Sequence, residues 1–200
     1  MVVVLCAVAL ITGGLLAYVN NVTAGPIQAQ AEKTLADGIK SVMGGVELSV
    51  AKTDTVKQTI DGKEVSYTIY QTVDASKKDL GAAVESTTSG FGGDLKVLVG
   101  FDPNGDILGY TVLSHAETPG LGAKATEWFQ KGHEGDIIGK NPSKNNLTVS
   151  KDGGEVDAIT ASTITSRAFL KAVANAYSAF KNTPADAVSG ASKSNKKNNE

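Results

Sequence analysis

Five serine and threonine residues crowd the stretch VDAITASTITSRAF, residues 156 to 169: Thr160, Ser162, Thr163, Thr165 and Ser166. The first half is β-branched and predicts a short strand, and the second half predicts the first turn of a helix. One hydroxyl at a helix start can accept a hydrogen bond from a free amide and stabilise the helix by about 1 kcal/mol. Several hydroxyls could instead surround a phosphate, because free amides and the helix dipole favour an anion there. On residue types alone both interpretations stay open, and capping is the commoner one.

The second stretch that could carry chemistry is HAETPGLG, residues 115 to 122. Pro119 restricts the backbone, and Gly120 and Gly122 permit either a tight turn or close approach of a ligand. Three polar side chains precede the glycines at the end of a predicted strand: His115, Glu117 and Thr118. Rigid scaffolds often present polar groups to ligands at such strand ends, although a glycine loop can also be a plain turn.

Composition excludes several other chemistries. The 200 residues include 41% apolar and 20% charged residues with a net charge of -2, so the chain lacks the basic surface that nucleic acid requires. The single Cys6 cannot form a disulfide or a CxxC pair within the chain, so redox chemistry would need a cofactor. Two histidines are too few for a His-rich metal centre, and no GxSxG, Walker or GxGxxG motif is present. We therefore predict no catalytic residues and no metal site.

The N-terminus is an uncharged apolar run from Val2 to Val19. Its length is close to the minimum for crossing a bilayer, and it predicts a transmembrane helix. A secretory signal peptide is the alternative, but the basic segment that should precede one is absent. Because no charged residue precedes Glu32, the orientation of the span cannot be read from charge.

Periodicity predicts the elements that position the two stretches. Apolar residues four apart, from Ile27 to Ile39, indicate an amphipathic helix after a break at Asn20 to Pro26. Alternating residues around Asp61-Gly62 indicate one β-hairpin, and LKVLVGF, the turn DPNG and DILGYTVLS indicate a second. A short helix should follow HAETPGLG, with two short strands at 147–149 and 156–159 and a last helix ending before Pro184.

These elements predict an α+β fold with an antiparallel sheet and flanking helices. We expect four segments along the chain: a transmembrane helix at 1–20, a stalk with the first amphipathic helix at 21–45, one domain at 46–183, and a disordered polar tail at 184–200.

The apolar N-terminal run, HAETPGLGAKATEWF, and DAITASTITSRA before a final helix together resemble the G subunit of the Rnf electron transport complex. The resemblance covers most of residues 1 to 183. The C subunit of the sodium-pumping NADH:quinone oxidoreductase is similar, and both belong to the FMN-binding domain family. ETPGLG followed within about forty residues by a threonine-rich junction is a specific pair of motifs.

The resemblance implies the residues that hold FMN. In the family, a threonine that ends a [Ser/Thr]-Gly-Ala-Thr motif carries FMN through a phosphoester, which corresponds here to Thr163 in Thr160-Ala161-Ser162-Thr163. Ala161 and Ser162 depart from the family's usual Gly and Ala, so Thr165 is the alternative acceptor. Asp157 matches an acidic residue before the motif. The loop on the flavin side corresponds to Glu117, Thr118, Pro119, Gly120, Leu121 and Gly122. Residue types and position alone add His115 and Ser166 to the expected cofactor site.

The function implied is that of an electron-carrier subunit with covalent FMN, part of a translocase that links ferredoxin and NAD to an ion gradient and not a stand-alone enzyme. Iron–sulfur or flavin subunits would be its partners, a separate flavin transferase would attach the FMN, and Lys124 and Arg167 are candidates for tuning its potential. The domain would face the extracytoplasmic side of a bacterial inner membrane. The C subunit of the quinone oxidoreductase is the first alternative, and a membrane-anchored binding module without flavin is the second.

Overall fold

The structure is a computed structural model that describes residues 1–60 and 63–182, without the Lys63 side chain. Contacts divide the chain into two compact units, Met1–Asp37 and Gly38–Glu200. The turn expected at Asp61-Gly62 and the polar tail expected at 184–200 lie outside the described residues.

The first element is a helix, α1, that runs from Val2 to Val42. It is continuous where a break was expected at Asn20 to Pro26, because Pro26 is accommodated inside it. A proline removes one amide and disturbs one turn, while the alanine and glutamine residues that follow Pro26 favour helix. Among the described residues α1 is the one helix long and apolar enough to cross a membrane, and the most apolar window has no buried residue.

Five strands form one antiparallel sheet in chain order: β1 Ser49–Ile60, β2 Lys63–Val73, β3 Asp79–Ser89, β4 Asp94–Phe101 and β5 Ile107–His115. The predicted antiparallel sheet and the α+β class are confirmed. Strand β3 was not predicted, since Ala82, Ala83 and Val84 are consecutive buried residues and give no alternating pattern.

The last helix, α2, runs from Thr163 to Phe180 and packs on one face of the sheet. Phe169 on α2 stacks on Phe129, with 4.2 Å between ring centroids, and meets the edge of Tyr110 on β5. Two other predictions are only partly confirmed. The helix expected after HAETPGLG is a short 3₁₀ helix, Gly122–Thr126. The strands expected at 147–149 and 156–159 form only a parallel bridge between Val149 and Val156.

The opposite face of the sheet contacts the last residues of α1, within the second unit. Ile39, Val42 and Met43 are buried there. Gly100 on β4 and Gly109 on β5 let the Val42 backbone approach closely, since a side chain at either position would collide with the Val42 carbonyl group. Strands β4 and β5 are therefore covered on both faces of the sheet.

Candidate cofactor-binding site

The two stretches that carry the predicted chemistry meet in one pocket. Its cavity volume is about 410 Å³, within the range of small-molecule sites. One wall comes from the HAETPGLG loop after β5, a second from the junction that begins α2, and a third from the loop between β3 and β4. The lining residues are Phe91, Glu117, Thr118, Leu121, Gly122, Ala161, Ser162, Thr163, Ile164 and Thr165.

The start of α2 is not capped by a side chain. Ser162 is the N-cap residue and is buried, yet its hydroxyl makes no capping hydrogen bond. Its own amide donates to Ile159 O at 3.0 Å, and the Ser166 amide donates to Ser162 O at 3.0 Å. The amides of Thr163, Ile164 and Thr165 have no acceptor among the described residues. The capping explanation for Ser162 is therefore wrong, and the positive end of the α2 dipole lies at the pocket wall.

The five hydroxyls of the junction have different environments. Thr163 is half-buried and lines the pocket, with no side-chain hydrogen bond among the described residues. Thr165 is 1% exposed, and its hydroxyl donates to Glu117 Oε2 at 2.8 Å. Ser166 is fully buried, accepts from the Ile159 amide and donates to Ser162 O, so it holds the junction against α2. Thr160 is exposed and does not line the pocket.

Glu117 is a buried carboxylate, 5% exposed, at the centre of the site. Its Oε1 accepts the Phe91 amide at 2.7 Å and the Gly92 amide at 3.4 Å, while Oε2 accepts the Thr165 hydroxyl. A buried charge needs hydrogen-bond donors of this kind, because burial without them would cost several kcal/mol. The carboxylate is therefore engaged within the protein on both oxygens.

Other predicted loop residues divide between the pocket and its support. Thr118 and Leu121 line the pocket and are exposed. Gly122 is buried, and a side chain there would collide with Glu117 and Thr165, so this glycine makes room for protein atoms. Gly120 and Pro119 are exposed outside the lining, and Gly120 has a φ of +76°, which favours glycine in a turn.

Four further predicted residues also lie outside the pocket lining. His115 is exposed, and its Nδ1 accepts the Glu117 amide at 3.2 Å. Asp157 has an exposed side chain, and its backbone oxygen accepts a hydrogen bond from the Trp128 indole. Arg167 donates two hydrogen bonds to Asp152, which hold the pKa of that carboxyl below its ordinary value. Lys124 is exposed on the 3₁₀ helix.

Sequence reasoning missed two apolar residues of the pocket. Phe91 is 69% exposed and Ile164 is 52% exposed, although both are large and apolar. Exposed apolar side chains gathered at a concave site indicate ligand contact. The available signal was an aromatic residue between glycines in SGFGG, which has no packing reason in a short connection.

Comparison with known proteins identifies matching families for the N-terminal helix and for the domain that holds the pocket. Residues 90–178 match the FMN-binding domain family, and residues 2–42 match the RnfG N-terminal region. The G subunit of an ion-translocating oxidoreductase complex from Shewanella baltica is 34% identical over 189 residues, which cover 90% of this chain and 88% of the relative. The corresponding G subunit from Vibrio parahaemolyticus is 35% identical over 171 residues, 82% of this chain and 80% of the relative. The chain belongs to this G-subunit family.

The family assignment agrees with the geometry of the pocket. Every lining residue of the pocket falls within the range of the FMN-binding domain, and the RnfG N-terminal region has the same bounds as α1. The residues present fit FMN, because free amides at a helix start suit its phosphate and exposed apolar side chains suit its flat ring. This member of the G-subunit family is thus an electron-transport protein with an FMN-binding domain and a single apolar membrane helix among its described residues.

Proposed function

We propose that this chain carries electrons through FMN attached covalently to Thr163, within a membrane-bound complex that couples electron flow between ferredoxin and NAD to ion transport. The observation that supports it best is the position of Thr163 on the pocket wall, half-buried, on the first turn of α2. Three amides on that turn have no acceptor within residues 1–60 and 63–182, and they would hold the phosphate of a threonine phosphoester. The alternative acceptor Thr165 is less suited, because it is buried and bonded to Glu117.

The bound FMN supplies reversible electron transfer, which none of the described side chains can supply. The protein contributes binding and orientation. Thr163 and the amides of the first turn fix the phosphate end, and the apolar side chains of Phe91, Leu121 and Ile164 offer contact to the ring. Covalent attachment would prevent loss of the cofactor on the outer side of a membrane.

Attachment requires a separate flavin transferase. A threonine hydroxyl is a weak nucleophile, and the carboxylate in the pocket lining, Glu117, already accepts hydrogen bonds on both oxygens. The Thr163 hydroxyl oxygen would form a bond to the FMN phosphorus of a phosphoanhydride donor such as FAD. The phosphoanhydride bond breaks, AMP leaves, and the hydroxyl proton passes to a base of the transferase.

The proposal places residues 1–20 in a bacterial inner membrane and the FMN domain on its extracytoplasmic side. An α-helix rises 1.5 Å per residue, so the run from Val2 to Val19 extends about 27 Å and matches the hydrocarbon thickness of a bilayer. The relatives are components of an ion-translocating oxidoreductase complex, so the domain would meet redox partners with iron–sulfur or flavin centres. Reporter fusions at the C-terminus that are active only in the cytoplasm would contradict this orientation.

The decisive experiment is mass spectrometry of the full chain, co-expressed with a flavin transferase and directed to the extracytoplasmic side. We expect a mass increase of one FMN phosphoester on the peptide that contains Thr163. Expression without the transferase is the control and should give the unmodified peptide. An unmodified chain in both samples would instead support the binding module without flavin.

A further inference from the structure

Glu117 connects all three walls of the pocket. It lies in the HAETPGLG loop, accepts two amides from the loop between β3 and β4, and accepts the Thr165 hydroxyl of α2. The connected residues are 26 and 48 positions away along the chain. A charged acceptor with several donors holds these segments more strongly than a neutral one would. Glycine is required at Gly90 and Gly122, where a side chain would collide with the carboxylate.

The segment held by Oε1 carries Phe91. The amide of Phe91 is fixed by Glu117 at 2.7 Å, whereas its ring is 69% exposed and lies on the pocket wall. A hairpin connection that displays a large apolar ring to solvent does not gain stability from burial. The arrangement is therefore better explained by a ligand contact than by packing of the fold.

We propose that Glu117 is a positioning residue, which holds the β3–β4 loop against α2 and thereby places the Phe91 ring on the pocket wall as the aromatic contact of the flavin. The inference rests on the proposed function for its flavin contact only. The hydrogen bonds that hold the loop are a property of the protein itself. Aromatic rings interact with flat ring systems in stacked or edge-on geometry, so Phe91 would restrict the flavin orientation.

The first test measures amide hydrogen exchange by NMR in the full chain in detergent, before any flavin is attached. In Glu117→Ala the amides of Phe91 and Gly92 should exchange about tenfold faster or more, since each loses a hydrogen bond to a charged acceptor. Glu117→Gln should restore most of the protection, because its amide oxygen can accept from Phe91 and its amide nitrogen can donate to Thr165.

A matched pair of variants separates this effect from a general loss of stability. Thr165→Val removes the buried hydroxyl that donates to Glu117, and Thr72→Val removes a buried hydroxyl that donates to Gly81 O at 3.0 Å, outside the pocket lining. Thr165→Val should accelerate exchange at Phe91 and Gly92, and Thr72→Val should leave it unchanged. Exchange in Glu117→Ala equal to that of the unsubstituted chain would overturn the positioning role.

The second test uses the flavin signal of the FMN-loaded chain. Phe91→Leu keeps an apolar side chain but removes the aromatic ring, so the visible circular dichroism of the flavin, which depends on the groups packed against its ring, should change in amplitude by about twofold or more. Leu108→Ala removes an exposed apolar side chain outside the pocket lining and should not change the visible circular dichroism. Unchanged visible circular dichroism in Phe91→Leu would overturn the flavin contact. Failure of the unsubstituted chain to acquire FMN would overturn the proposed function and the flavin contact together, while the exchange data would still decide the role of Glu117.

Discussion

The indole nitrogen of Trp128 donates a hydrogen bond to the backbone oxygen of Asp157, with 2.8 Å between Nε1 and O. This bond connects the segment after HAETPGLG to the segment that leads into the threonine-rich junction. Gly135 makes room for the indole, since a Cβ there would lie 2.6 Å from Trp128 Cδ1. Asp157 thus supports the pocket through its backbone, while its carboxylate stays exposed.

Removing the indole donor should therefore lower the free energy of unfolding more than removing the Asp157 carboxylate does. Trp128→Phe is expected to lower the free energy of unfolding by about 1 kcal/mol or more, because a hydrogen bond and part of the packing are lost. Asp157→Asn should change it by less than about 0.5 kcal/mol, as is usual at exposed positions. Urea unfolding of the full chain in detergent compares the two. A larger loss in Asp157→Asn would show that the carboxylate has a structural partner.

Ala161 adopts a backbone conformation that suits glycine. Its φ is +61°, and a Cβ in the left-handed region costs about 1–2 kcal/mol. Glycine adopts this conformation without that cost, so Ala161→Gly should raise the free energy of unfolding, by up to about 1 kcal/mol after the greater entropy of unfolded glycine is subtracted.

The matched control for Ala161→Gly is Lys77→Gly, because Lys77 also has a φ of +61° and does not line the pocket. Both variants should shift the urea midpoint upward without changing the slope of the transition. A lower midpoint in Ala161→Gly alone would mean that the methyl group makes contacts that outweigh the backbone strain.

The strands were predictable where alternation or a tight-turn sequence marks them, and β3 was missed because it has neither an alternating pattern nor such a turn. Strands β1, β2, β4 and β5 fall in the hairpins that alternation and turn residues indicated. Strand β3 escaped because its buried residues Ala82, Ala83 and Val84 face both covered sides of the sheet. The continuity of α1 also escaped, because a proline marks a boundary in most sequences but only disturbs one turn here.

The site was predictable as two stretches but not as a set of contacts. Residue types and motif spacing identified the HAETPGLG loop and the junction at α2. The role of Phe91 depends on an amide bonded to a carboxylate 26 residues further along the chain, which no local pattern encodes. Similarly, only the packed structure shows that Gly122 makes room for Glu117 and Thr165.

The two glycines of the loop should therefore respond differently to alanine. Gly122→Ala would force a methyl group against Glu117 and Thr165, and we expect a loss of about 1–3 kcal/mol in the free energy of unfolding. Gly120→Ala meets no atom within 4 Å and has only the strain of its positive φ, about 1 kcal/mol. Thermal unfolding monitored by circular dichroism shows which of the two variants is less stable. Equal stability of the two variants would contradict the tight packing at Gly122.

Burial of Tyr67 makes the stability of the domain depend on alkaline pH. Burial raises the pKa of Tyr67 from 10.0 to about 12, and its buried hydroxyl has no hydrogen-bond partner among the described residues. The contribution of the Tyr67 hydroxyl to the free energy of unfolding is fully present below about pH 10, which is the pKa of the group in the unfolded chain. As the pH rises from there to the folded pKa, the unfolded chain loses the proton first, and the free energy of unfolding falls by about 1.4 kcal/mol per pH unit.

Tyr67→Phe should remove this part of the alkaline loss. At about pH 7 the variant should be as stable as the unsubstituted chain, because the hydroxyl removed is buried without a partner in the part of the chain that the structure describes. Between about pH 10 and pH 11.5 the variant should become the more stable of the two. Urea unfolding at a series of pH values measures the difference, and parallel curves over this range would show that Tyr67 does not couple folding to pH.

Thr163 should be the residue to which FMN is covalently attached. Thr163→Ala should abolish the FMN mass increase after co-expression with a flavin transferase, while Thr163→Ser, which keeps a hydroxyl on the pocket wall, should retain it in part. The fold should persist in both variants, since Thr163 is half-buried and its side chain has no hydrogen bond among the described residues. Thr165→Val is the matched control and should still be labelled, because the Thr165 hydroxyl is 1% exposed and donates to Glu117. Full labelling of Thr163→Ala would move the acceptor to Thr165 or Thr160, and loss of label in Thr165→Val together with full labelling of Thr163→Ala would assign it to Thr165.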